Sequence, residues 1–142
     1  MAEIVVDPQG APLDTTLDVR VTGLPPDSPA TITLTTGDRA SRAVFVADER
    51  GVVDLTRHAP VEGDYSGVDA MGLFWSLAPT GRGAGATLLE VEGVGKVEIE
   101  RRTVPEGVVR TEVDEDGLVG VLFTPDDDDM HPGVIVLGGS EG

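Results

Sequence analysis

The sequence predicts a mainly β protein: an immunoglobulin-like β-sandwich followed by the first strands of a second, α/β unit. Three observations carry this. Apolar residues alternate with polar ones at period two, almost nothing repeats at helical spacing, and the 10 prolines and 19 glycines fall mostly between the alternating segments. Period two is what a half-buried strand requires, because successive side chains leave a strand on opposite faces. Proline and glycine in the gaps suit loops at the ends of a sandwich.

Taken in order, Leu17, Val19 and Val21 alternate with polar residues, as do Ile32 and Leu34, then Ala43, Phe45 and Ala47. Residues 52–55, 72–77, 87–91 and 96–101 add four further strands, with turns at Asp48-Glu49-Arg50-Gly51 and Gly93-Val94-Gly95. Seven short strands over about a hundred residues are the pattern of a two-sheet sandwich, assigned here to residues 1–104. The pattern changes after Pro105. Residues 108–113 and 118–123 flank Asp114-Glu115-Asp116-Gly117, whose glycine can take the positive φ that a hairpin turn requires. Residues 134–137 (VIVL) are apolar throughout, the mark of a strand covered on both faces. An antiparallel hairpin followed by a buried strand resembles the opening of an α/β-hydrolase sheet, so residues 105–142 are expected to be the truncated start of such a domain.

Composition excludes several functions. The chain holds 26 acidic against 10 basic residues, a formal charge of -16 and a pI near 4.2. Such a field repels phosphate backbones, which removes nucleic acid as a partner. There is no cysteine, hence no disulfide framework and no thiolate metal site. No apolar run approaches the roughly 20 residues of a membrane span, and Met1-Ala2-Glu3 is not the basic start of a signal peptide. A cytoplasmic protein is expected. With 39% of residues hydrophobic, the acid excess reads as the surface of a folded protein, and one suited to molar salt, where screening shrinks to about 3 Å.

Two stretches point to one family. Residues 65–79 (YSGVDAMGLFWSLAP), with the paired strands at residues 41–48 and 51–55 upstream, resemble the N-terminal domain of the acyl-CoA thioesterase and bile acid-CoA:amino acid N-acyltransferase family. Residues 132–142 resemble that family's entry into its hydrolase domain. The resemblance implies an accessory sandwich ahead of a catalytic domain that acts on fatty acyl-CoA thioesters. It also implies a serine nucleophile in thioesterases or a cysteine in acyltransferases, followed by an aspartate and a histidine, all beyond residue 142. Only the glycine turn carries over: the backbone amides of Gly139 and Ser140 are the oxyanion-loop candidates. No catalytic side chain, metal site or cofactor is expected in this chain, coenzyme A entering as part of the substrate. Its expected partners are acyl-CoA, through the downstream catalytic domain, and that domain itself, by intramolecular packing.

Other motifs have plainer readings. Gly138-Gly139-Ser140-Glu141-Gly142 matches the Gly-x-Ser-x-Gly nucleophile elbow, but both histidines, His58 and His131, precede it, whereas an elbow's acid and histidine normally follow. The oxyanion-loop reading is preferred over Ser140 as nucleophile. His58 and His131 read as exposed loop histidines, and the Asp126-Asp127-Asp128-Asp129 run as a solvated connection without the alternating spacing of a calcium loop. Residues 81–86 fit a dinucleotide fingerprint superficially, yet a strand rather than a helix follows. Glu98 and Glu100 share one strand face, the solvent side. Trp75, with Leu73, Phe74 and Leu77, reads as core and sheet packing; the alternative is a face that packs on the catalytic domain.

Overall fold

A computed structural model describes residues 1–81 and 85–138. The chain divides into two compact units, Met1–Thr103 and Val104–Gly142. In the first, β1 (Glu3–Asp7), β3 (Asp18–Thr22) and β6 (Val53–Asp54) form a three-stranded antiparallel sheet in the order β1-β3-β6. The larger sheet runs β2-β10-β9-β4-β5-β7, made of β2 (Gly10–Pro12), β10 (Gly95–Arg102), β9 (Thr87–Val91), β4 (Pro29–Thr36), β5 (Arg39–Val46) and β7 (Glu62–Gly63). A short β8 (Ala78–Pro79) pairs with β5 off this path.

The period-two pattern becomes burial directly. Val19 and Val21 from the small sheet, with Leu17 just ahead of β3, meet Ile32, Leu34, Ala43, Phe45, Leu89, Val91 and Ile99 from the large one, all in one buried cluster. Most of the ladder is antiparallel; β2 lies parallel to β10, pairing Gly10 with Glu100. The turn at residues 48–51 carries the chain from one sheet to the other. Asp48 Oδ1 accepts the amides of Arg50 and Val52, each at 2.9 Å. Gly51 has φ +73 and lies so close to the Leu24 carbonyl that an added Cβ would sit 2.0 Å from its oxygen. A side chain there clashes with backbone and strains φ together.

One expected strand is a helix. Residues 72–77 contain α1 (Gly72–Trp75), a single turn in which the Trp75 and Phe74 amides reach back to the Met71 carbonyl. The Leu-Phe-Trp composition favours a strand, but Asp69 starts the turn by accepting the Met71 amide on Oδ1 at 2.8 Å. Tertiary fit completes it: Gly72 lies flush under Tyr65, where an added Cβ would meet the ring at 2.2 Å. The buried Ser41 hydroxyl donates to the Leu73 carbonyl at 2.5 Å, which ties α1 to β5.

In the second unit, β11 (Val108–Glu115) and β12 (Leu118–Pro125) form the expected hairpin. Asp116 and Gly117 take φ +52 and +82, the two consecutive positive values of a type I′ turn. Residues 134–137 join no ladder, and Val134, Ile135, Val136 and Leu137 are 85–89% exposed. The expected doubly covered strand is therefore absent among the described residues. An interior strand takes its hydrogen bonds from neighbours on both edges, and no described residue supplies them.

Candidate functional site

Gly139 and Ser140, the oxyanion-loop candidates, lie outside the described residues. Of the fingerprint at residues 81–86, positions 82–84 lie outside them too. What the first unit does build is an open groove of about 750 Å³. One wall is the loop of residues 13–16, another is Met71, Phe74, Trp75 and Leu77, and the sheet contributes Leu34, Thr36, Thr87, Ile99 and Arg101.

Each wall is fixed by a local bond. Trp75 is 62% exposed, so it is not a core residue as expected, and its position still is not loose. Its indole Nε1 donates to Asp69 Oδ2 at 2.9 Å, and Tyr65 meets it edge-on with ring centroids 6.1 Å apart. Asp69 thus spends one oxygen on starting α1 and the other on orienting the tryptophan. Burial, with the Asp69 charge adding to it, pushes the Tyr65 phenol up to about 12. On the facing side, Arg101 donates to the carbonyls of Leu13 and Thr15 and places its guanidinium 5.3 Å from the centre of the Phe74 ring. Burial lowers its pKa and the nearby Asp14 carboxylate opposes that. The Thr36 and Thr87 hydroxyls meet at 2.9 Å.

Strand alternation sorts the charges. Ile99 and Arg101 share one face of β10, whereas Glu98 and Glu100 lie on the other, where they line a smaller depression with Gln9 and Gly10 and also reach the edge of the groove, whose lining includes Asp14 as a third carboxylate. The solvent-side placement of Glu98 and Glu100 is as expected. Among the described residues lining the groove, Arg101 is the one cation.

Several polar groups elsewhere are committed to internal bonds, whereas the buried Tyr65 and Ser76 hydroxyls have no hydrogen-bond partner among the described residues. His58 is half-buried rather than exposed, because its Nδ1 accepts the Asp54 amide at 3.0 Å and holds the turn after β6. Asp54 is buried and takes Arg20 Nε at 3.1 Å together with the Thr56 amide and hydroxyl at 3.0 and 2.6 Å. Burial would raise its pKa, but the Thr56 bonds and the Arg20 and Arg57 charges outweigh it and hold the carboxyl below 3.8. His131 is exposed and lies 2.7 Å from Asp127 Oδ1, on the acidic connection. No group of three or more potential ligands able to hold a metal occurs among the described residues. No helix there is long and apolar enough to cross a membrane. The groove thus offers apolar contact, one guanidinium and, from Asp14, Glu98 and Glu100, three carboxylates. It escaped the sequence reading because its walls are far apart in the chain; the one available signal was the lone tryptophan two residues after Leu73.

Comparison with known proteins agrees with the resemblance. Residues 14–93 match the family model described as acyl-CoA thioester hydrolase/BAAT N-terminal region. The chain is 32% identical to human (Homo sapiens) bile acid-CoA:amino acid N-acyltransferase, over 100% of this chain and 41% of that protein. It is 30% identical to mouse (Mus musculus) acyl-coenzyme A amino acid N-acyltransferase 2, over 98% and 40%. Identity to human acyl-coenzyme A thioesterase 1 is 29%, over 99% and 39%. The chain spans about two-fifths of the length of these relatives. By its sandwich and by the match across residues 14–93, the chain belongs to the family of acyl-CoA thioester hydrolase/BAAT N-terminal regions.

Proposed function

We propose that this chain is the accessory N-terminal domain of an enzyme that cleaves fatty acyl-CoA thioesters, by hydrolysis or by transfer to an amino acid, and that it has no turnover alone. The observation that carries the reading is the family match across residues 14–93. The commitment of Ser41, His58 and Asp54 to internal bonds supports it. In this reading the nucleophile, the base and the carboxylate that orients it lie outside these 142 residues, and Gly139 and Ser140 offer amides to the oxyanion. Such a donor lowers the barrier by about 3 kcal/mol, which is worthless without a nucleophile. Coenzyme A is part of the substrate, and no other cofactor takes part.

Reading the native gene beyond Gly142 tests this. A serine or cysteine elbow, then an aspartate, then a histidine are expected; a continuation lacking that order sinks the proposal and leaves a binding sandwich.

The acidic surface belongs to the same proposal, as an adaptation to a salt-rich cytoplasm. Screening relieves self-repulsion in a chain of charge -16, so its melting temperature rises from millimolar to molar KCl. A flat or falling series removes the halophile inference.

A further inference from the structure

We propose that the groove beside α1 binds the chain of a fatty acyl group, with its carboxylate or carbonyl oxygen set against Arg101. The choice of a fatty chain rests on the acyl-thioester reading above; the geometry of the site does not. At about 750 Å³ the groove falls within the roughly 300–1,000 Å³ of small-molecule sites. Its walls present Met71, Phe74, Trp75 and Leu77 as an apolar side, with the Asp14, Glu98 and Glu100 carboxylates also in the lining. Beside the Phe74 ring stands the Arg101 guanidinium, the one cation among the described lining residues and the group that offsets those carboxylates at this point of the groove.

This layout matches an amphiphile with one long tail and one acidic or carbonyl head. Two backbone carbonyls, of Leu13 and Thr15, accept from Arg101, and a guanidinium carries five N–H donors, so its capacity is not exhausted. The same two bonds hold the guanidinium in place before a ligand arrives, which lowers the ordering cost of binding. Trp75 is likewise set in advance by Asp69. The bulk negative charge disfavours the polyphosphate part of coenzyme A here. Tail and carbonyl enter; the nucleotide stays outside.

Trp75 is the single tryptophan and lines the groove, so its fluorescence reports occupancy. With the 142-residue chain, 12-bromododecanoate below its micellar concentration quenches Trp75 saturably. Shortening the tail weakens binding by about fourfold per methylene, the value of a buried CH₂. Dodecyltrimethylammonium, which has the same tail and the opposite head charge, does not displace the acid. Arg101→Gln raises the Kd about tenfold or more, as loss of a charge-assisted hydrogen bond does. Because Arg101 also ties down residues 13–16, Leu77→Asp serves as a second variant and abolishes quenching with Arg101 intact. Absence of saturable quenching, or equal binding of the cationic amphiphile, overturns the proposal. No thioester is cleaved in this experiment. A full-length protein inactive on acyl-CoA would refute the enzyme reading without touching the quenching result, and the reverse also holds.

Discussion

Phe45 and Phe123 show how differently the two units use the same kind of sequence. Both phenylalanines lie in eight-residue strands paired antiparallel with a neighbour, in β5 and β12 respectively. Phe45 has no exposed surface, and Phe123 is 53% exposed. The first strand has a second sheet over its apolar face, and the two-stranded ladder around the second is the one sheet among the described residues of its unit. Hydrogen-bonded pairing is thus available to any compatible pair of strands, whereas a core requires a second layer. A two-stranded hairpin on its own is marginal in water, and stability comes with the covering layer.

Amide exchange sharpens this contrast most. Amides of β4 and β9, whose Ile32, Leu34, Leu89 and Val91 are buried, exchange near the global unfolding limit. Those of β11 and β12 exchange faster by several powers of ten, about what a difference of several kcal/mol in opening free energy produces. Uniform protection would break the comparison. Next in size is the phenylalanine pair itself. Phe45→Ala lowers the unfolding free energy of the first unit by about 3–5 kcal/mol, whereas Phe123→Ala leaves it within about 0.5 kcal/mol, both read from urea denaturation.

Asp54 gives a smaller effect with a definite pH dependence. Asp54→Ala takes the acceptor from the Thr56 amide and hydroxyl, leaves Arg20 with its longer Asp18 pair at 3.9 Å, and costs about 1–3 kcal/mol. Since folding depresses the carboxyl below 3.8, its contribution is fully present above that value and declines as pH falls through the lower, folded-state pKa. Wild type and Asp54→Ala therefore converge in stability in that acid range; parallel curves down to pH 2 would contradict the assignment.

The core was legible because its signal is local. Leu17, Val19, Val21, Ile32, Leu34, Ala43, Phe45 and Ala47 were all identified by alternation and all are buried. The hairpin turn at residues 114–117 was legible for the same reason, a glycine where positive φ is needed. β1 was missed because Ile4, Val5 and Val6 form an unbroken apolar run that hides its alternation, although Ile4 and Val6 pack on the core and Val5 is exposed. β2 was missed because its parallel partner lies 90 residues away, Gly10 against Glu100. At α1, four residues are too few to show a helical period, and the decisive contacts, Asp69 to the Met71 amide and Tyr65 over Gly72, depend on tertiary geometry. The groove failed to appear for the same reason: loop 13–16, α1 and Arg101 are joined by the fold and by no motif.

The claim that chemistry lies outside this chain is tested most directly by thiol release. The 142 residues are incubated with acyl-CoA esters of graded chain length, and free coenzyme A is followed with a thiol reagent. The expected result is release at the uncatalysed background for every ester, unchanged in Ser140→Ala. Turnover above background that Ser140→Ala abolishes would contradict the account, and would make Ser140 a nucleophile rather than a donor of its backbone amide.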